Sequence, residues 1–131
     1  MSNDEIDARL ETALSAELDV DSPDALYNQA ALIESFSYIA VKRQAAAELK
    51  LAGLEKQLRD HGPDILLLKG TAGDRKMQWE AQNSDLMLAI SKAESEVQFW
   101  KGIGRSIEKK VTLVQSVLSN MTSSIKAGIR S

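Results

Sequence analysis

The chain has 131 residues, a net charge of −3, one histidine and no cysteine. This length corresponds to one domain with a modest core. The absence of cysteine excludes disulfides and thiolate metal sites, and the lone His61 cannot supply the ligand cluster that zinc or non-haem iron requires, so no cofactor or metal site is predicted.

The first predicted element, residues 1–21, is a short acidic helix. Ser2 and Glu5 have the spacing of a capping box, in which the serine caps the first turn. Apolar side chains then recur every four residues and would form one helical face: Ile6, Leu10, Leu14 and Leu18.

A first long helix is predicted over residues 22–61. Ser22 is a favourable N-cap and Pro23 suits the first helical position. A mainly apolar row, interrupted by Ser37 and Gln44, follows with alternating spacings of four and three as far as Leu58. His61-Gly62-Pro63 is a typical helix stop. Such a helix would be about 55 Å long.

Residues 62–74 are predicted to form a connector. Three glycines, Gly62, Gly70 and Gly73, surround the apolar run Ile65-Leu66-Leu67-Leu68. The glycines argue against a regular helix across the whole segment. The apolar middle of the connector is expected to dock on another surface.

A second long helix is predicted over residues 75–127. From Leu86 to Ile125 the apolar spacing continues without a slip, and it passes through Gly102-Ile103-Gly104. A loop would have no reason to preserve this phase, so we expect one helix. The sequence does not decide whether that helix bends at the glycines. Gly104 falls next to Trp100 on the apolar face, where the absence of a side chain would make room for the indole or a close backbone.

These elements predict an all-α protein: a long antiparallel helical hairpin with a short N-terminal helix and a coiled-coil-like seam. The first helix alone cannot cover the apolar end of the second. Either the N-terminal helix folds back over it or other subunits bury it. We expect a homo-oligomer, and the candidate interface residues are Trp100, Ile107, Val111, Val114, Leu118, Met121 and Ile125.

Charge is distributed unevenly along the chain. Residues 1–24 carry eight acids and one base, whereas residues 101–131 carry six bases and one acid. The gradient suggests a polyanionic partner for the basic end, or head-to-tail contacts between subunits. Ordinary solvated helix faces would also produce it.

The basic residues of the second helix are candidate DNA contacts. Lys101, Arg105 and Lys109 recur every four residues, and Lys110 extends the positive segment. Such a row can follow phosphates, and Phe99 at its edge can stack on an unpaired base. Lysine and arginine are equally ordinary beside a coiled-coil seam. Trp100 is in phase with the core and is expected to be a packed anchor.

Enzyme and membrane signatures are missing from the sequence. Gly70-Thr71-Ala72-Gly73 lacks the Lys-Ser/Thr pair of a phosphate-binding loop, and Gly102-Ile103-Gly104 lacks the third glycine of a dinucleotide fold. No apolar run approaches the roughly 20 residues of a membrane helix. We expect a cytoplasmic protein that is not an enzyme.

The order of these parts resembles the phage UvsY-type recombination mediators, small helical proteins that load a recombinase onto single-stranded DNA covered by single-strand-binding protein. The likeness covers most of the chain. It rests on the order of the acidic helix, the connector and five short motifs: Asp21-Ser22, Tyr27 with Ala30-Ala31, Trp79-Glu80, Gln98-Phe99-Trp100, and Ser124-Ile125-Lys126-Ala127-Gly128-Ile129.

The resemblance implies homo-oligomeric rings with the C-terminal helix at the subunit interface, and positive residues on the DNA backbone. Its Lys/Arg pair near the end of the first long helix corresponds here to Lys56 and Arg59. It also implies a recombinase and a single-strand-binding protein as partners, in the cytoplasm of a bacterial host if the chain is phage-encoded. The chain departs from the best-known relative in being acidic overall.

The first functional hypothesis is a non-enzymatic recombination mediator that binds single-stranded DNA as a homo-oligomer. The alternative is a structural or adaptor coiled-coil oligomer, of the virion assembly or scaffold type, without nucleic-acid binding. A duplex-binding regulator ranks last because the chain has no recognisable helix-turn-helix pattern.

Overall fold

The computed structural model describes residues 2–130, and side chains as far as residue 124. Within that range all the regular secondary structure is helical, which confirms the predicted all-α class. Five α-helices are joined by short segments, one of which is a 3₁₀ helix over Gly62–Leu67. The α-helices are α1 (Asn3–Ser15), α2 (Pro23–Ser35), α3 (Ser37–Asp60), α4 (Ala72–Gln82) and α5 (Ser84–Arg130).

The N-terminal caps follow from the sequence. The Oγ atoms of Ser2 and Ser22 accept hydrogen bonds from the backbone N–H groups of Glu5 and Ala25, at 3.2 and 3.1 Å. The first helix is shorter than predicted, however. It ends at Ser15, because the next residue adopts an extended conformation with φ −64° and ψ 141°.

Each predicted long helix is interrupted by a single residue, so neither is one continuous rod. Between α2 and α3, the N–H of Phe36 donates to the Ile33 carbonyl (3.1 Å), which tightens one turn to 3₁₀ geometry. Between α4 and α5, both the N–H and the side-chain amide of Asn83 donate to the Trp79 carbonyl. This local competition for one acceptor is typical of asparagine.

The connector is more ordered than the sequence suggested. It contains the 3₁₀ helix, and α4 begins at Ala72 behind a complete capping box formed by Thr71 and Asp74. Gly70 has φ +113°, a conformation that favours glycine. The second helical stretch therefore starts three residues earlier than predicted.

Contacts divide the chain into two compact units. The terminal unit comprises residues 1–41 and 102–131, and the central unit comprises residues 42–101. In the terminal unit, Leu26, Ala30 and Val114 form a buried cluster against which partly buried side chains pack: Leu18, Val117, Leu118 and Met121. Part of α5 is thus covered by α2, the start of the predicted first long helix, together with Leu18 of the segment predicted as the N-terminal helix.

The central unit is an antiparallel helical hairpin. At one end the Arg43 guanidinium lies 4.9 Å from the centre of the Trp100 ring, and at the other the Trp79 indole N–H donates to the His61 carbonyl at 2.7 Å. The start of the first arm (Arg43) contacts the end of the second (Trp100), and the end of the first (His61) contacts the second near its start (Trp79). The two arms therefore run in opposite directions. Small and β-branched residues are buried between the two ends: Ala47, Ile90, Ala93 and Val97.

Helix α5 runs through Gly102-Ile103-Gly104 without a break, as its apolar phase predicted. The close approach predicted at Gly104 is wrong. A Cβ atom placed there would meet nothing within 4 Å, because the Trp100 ring contacts Arg43 and Phe99 instead. Among the described residues, no helix combines the length and the apolarity that crossing a membrane requires.

Candidate nucleic-acid interface

The basic residues of α5 differ in exposure. Arg105 and Lys109 are exposed in the terminal unit, whereas Lys101, the last residue of the central unit, is half-buried. Four residues correspond to a rise of about 6 Å along a helix, so Arg105 and Lys109 lie about that far apart along α5. Glu108 is the only acid after residue 96, and the positive charge of this stretch is therefore little offset.

The adjacent aromatic pair at the end of the central unit has two distinct roles. Trp100 is 7% exposed, with the Arg43 guanidinium against its ring, whereas Phe99 is 58% exposed. The two rings meet edge to face, with centroids 5.1 Å apart and planes at 82°. Trp100 is thus the packed anchor that the sequence predicted. Phe99 presents an aromatic surface to solvent on a different side of α5 from Lys101, because residues two apart on a helix do not face each other.

Lys110 is placed differently from the other candidate cations. Its half-buried ammonium donates to the Leu14 carbonyl (2.9 Å) and to the Ala16 carbonyl at the C-terminal end of α1. The last carbonyls of a helix lack helical partners, and a cation there is favourable. We therefore correct the assignment of Lys110 from a DNA-contact candidate to a residue that fastens α1 to α5.

Lys56 and Arg59 are exposed near the C-terminal end of α3. They follow Arg43 by 13 and 16 residues, which is about 20–24 Å along the helix. Because the hairpin is antiparallel, they lie towards its His61–Trp79 end, away from Phe99. The structure does not bring the two predicted DNA-binding sets together within the central unit.

The residues predicted to form an oligomer interface lie largely inside the single chain. Trp100, Ile107 and Val114 are buried without any second copy present. Val111, Leu118 and Met121 are half-buried, while the side chain of Ile125 lies outside the described residues. In this conformation the three buried side chains have no surface to offer to another subunit.

Two features of the structure were not predicted from the sequence. The Arg43–Trp100 contact joins residues 57 positions apart, and no local pattern indicates it. The position of Lys110 does have a signal: it follows Ile107 by three residues and therefore falls on the apolar side of α5. Among the described residues, no three His, Cys, Asp or Glu side chains are grouped to hold a metal ion.

Comparison with known proteins identifies no relative of the chain. No protein-family model, curated protein or solved structure matches the chain. What can be said of its class rests on its own geometry: an all-α protein in which one long helix carries two exposed cations, Arg105 and Lys109, and an exposed phenylalanine.

Proposed function

We propose that the protein is a non-enzymatic recombination mediator that binds single-stranded DNA through side chains of α5. We call Arg105 and Lys109, which are exposed in the terminal unit, the basic face; Lys101 and Phe99 are further candidate contacts in the central unit. The observation that carries the proposal is the exposed Phe99 ring on the same helix as this row of cations, in a stretch with one acid.

The chemistry of these side chains favours a single strand over a duplex. Cations at intervals of about 6 Å along a helix can neutralise successive phosphates. The Phe99 ring needs an unpaired base on which to stack, and bases in a duplex are already stacked on each other. Stacking on phenylalanine is tolerant of sequence, so we expect little base preference.

Oligomerisation would strengthen this binding. Four side chains per chain offer few contacts, and a homo-oligomer repeats them along one strand without any new kind of contact. The resemblance to UvsY-type mediators motivates this assembly, together with a recombinase and a single-strand-binding protein as partners. The acidic segment of residues 1–24 is a suitable surface for a basic protein partner.

The test is fluorescence anisotropy of a labelled single-stranded oligonucleotide, with a duplex of the same sequence as the control, at low and near-physiological salt. The proposal predicts preferential single-strand binding whose logarithmic affinity falls linearly with the logarithm of the salt concentration. Absence of binding even at low salt would contradict it.

A structural or adaptor oligomer without nucleic-acid binding is the second candidate. It is favoured by large apolar side chains that the single chain leaves exposed, among them Leu49, Leu66 and Leu67. Such side chains are common at interfaces between proteins. A stable oligomer that fails the anisotropy test would support this candidate over the first.

A further inference from the structure

Helix α1 is packed only partly against the rest of the terminal unit. Of its thirteen residues, Leu10 and Ala13 are the buried ones. An open groove of about 590 Å³ lies between one side of α1 and three apolar residues further along the chain, Leu32, Phe36 and Ile39. Side chains that line open space lack the packing contacts of a filled interior, so this groove weakens the attachment of α1.

A polar part of the attachment is made by Lys110 of α5. Its ammonium donates to the Leu14 carbonyl (2.9 Å) and to the Ala16 carbonyl, and α1 has no basic residue in its own last turn. A cation of α5 therefore satisfies the C-terminal carbonyls of α1. The same contact leaves Lys110 half-buried while α1 is docked.

The segment that follows α1 is fixed separately, by α2. The side-chain N–H of Gln29 donates to the Glu17 carbonyl, and Gln29 Oε1 accepts from the backbone N–H of Asp19, both at 2.8 Å. Leu18, between these two residues, packs against the buried cluster of the terminal unit. The backbone is extended at Ala16, just before this fixed segment. α1 can therefore separate at Ala16 while the following segment stays bound to α2.

We infer that α1 is a displaceable cover that regulates DNA binding by withholding Lys110. While α1 is docked, Arg105 and Lys109 are the exposed cations of residues 105–110. When α1 separates, the Lys110 ammonium loses its two carbonyl partners and can neutralise a further phosphate. Docking of α1 and binding of a strand to Lys110 exclude each other. The inference rests on the proposed function, because it adds regulation to the same site.

Docking of α1 and DNA binding are coupled equally in both directions. If the separated state binds a strand more tightly by some factor, a saturating strand must favour separation by that same factor. Coupling between two sites is typically about 5-fold or more. Because α1 is docked in the structure, the separated state is the minor population, and Lys110→Met leaves the affinity of the docked majority unaltered.

The first experiment produces the separated state and detects it without DNA. Leu10→Ala/Leu14→Ala removes apolar side chains from α1 but keeps its charge and its helix propensity. Hydrogen exchange should show a loss of protection confined to α1, with α2 and α5 still protected. Leu49→Ala/Leu88→Ala, at two exposed leucines of the central unit, is the matched control and should exchange like the unchanged protein. Full protection of α1 in the first variant would overturn the inference.

The second experiment measures the affinity of that variant for a labelled single-stranded oligonucleotide by fluorescence anisotropy. We expect a gain of about 5-fold or more at low salt. The slope of log affinity against log salt should increase in magnitude by about 0.7, for one added phosphate contact. Adding Lys110→Met to the variant should remove both changes.

The outcomes of the titration separate the inference from the proposed function. A variant that binds like the unchanged protein, or a gain that survives Lys110→Met, would overturn the inference while leaving the proposed function intact. If the unchanged protein itself shows no binding at low salt, the proposed function fails, and the regulation inferred for its site fails with it.

Hydrogen exchange of the unchanged protein keeps the inference testable if Leu10→Ala/Leu14→Ala does not fold. A saturating single-stranded oligonucleotide should accelerate exchange of the α1 amides by about 5-fold or more, because the coupling is reciprocal. The Lys110→Met protein should show no such acceleration when the oligonucleotide is added. Equal exchange of α1 with and without the oligonucleotide in the unchanged protein would contradict the displacement of α1.

Discussion

The two sides of α5 near residue 110 differ in what they contact. On the inner side, Val114 is fully buried against Leu26 and Ala30, and Lys110 donates to carbonyls of α1. On the outer side, Arg105 and Lys109 are exposed. Lys109 and Lys110 are adjacent in sequence, yet a turn of about 100° around the helix gives them different roles. The inner side holds the terminal unit together, and the outer side remains available for a ligand.

The largest effect is expected from Val114→Asp on the inner side. A carboxylate at this position would be buried without a partner, so the free energy of unfolding should fall by about 4 kcal/mol or more. Urea unfolding followed by circular dichroism measures the change. Leu113→Asp on the exposed side is the control and should shift stability by no more than about 0.5 kcal/mol. Equal effects of the two substitutions would contradict the assignment of the sides.

A smaller loss is expected from Lys110→Met. The substitution keeps most of the aliphatic stem but leaves the Leu14 and Ala16 carbonyls without their donor, at a cost of about 1–3 kcal/mol. The midpoint of urea unfolding reports the loss, and amide hydrogen exchange should show α1 less protected. Lys109→Met should leave both measurements unchanged, and a matching loss in that variant would remove the distinction between the two lysines.

A modest gain is expected from Gly104→Ala. A Cβ atom at this position meets nothing within 4 Å, and alanine is favoured over glycine in a helix interior by roughly 0.5–1 kcal/mol. Thermal unfolding measures the gain. Gly70→Ala gives the opposite sign, because Gly70 has φ +113° and its Cβ would lie 3.0 Å from the Cβ of Asp74. Destabilisation by Gly104→Ala would mean that the glycine has a packing role after all.

The sequence predicted the helical class and much of the helical phase. The burial of Trp100, Ile107 and Val114 follows from their spacing on α5, and the caps at Ser2 and Ser22 follow from local hydrogen-bonding chemistry. Periodicity is a strong signal over a helix of this length. It does not identify the partner that covers an apolar face, and so it did not decide between the N-terminal helix and a second subunit.

Two features could not be predicted from local sequence patterns: the interruptions of the long helices, and the different roles of the cations on α5. Phe36 and Asn83 break the helices by single hydrogen-bonding choices, which leave the apolar phase on either side almost unchanged. The role of Lys110 depends on the carbonyls of α1, which are more than 90 positions away in sequence. Such contacts form only when the chain is folded, so the candidate site could be predicted as a basic segment but not resolved residue by residue.

The central claim is that the outer side of α5 binds single-stranded DNA and the inner side does not. Its most direct test is the anisotropy titration repeated with Arg105→Glu/Lys109→Glu, with Lys110→Met, and with Lys50→Glu as an exposed control on α3. The account predicts that only the first variant loses affinity, with the slope of log affinity against log salt reduced in magnitude by about 1.4 for two lost phosphate contacts. Unchanged binding by that variant, or an equal loss with Lys50→Glu, would contradict it.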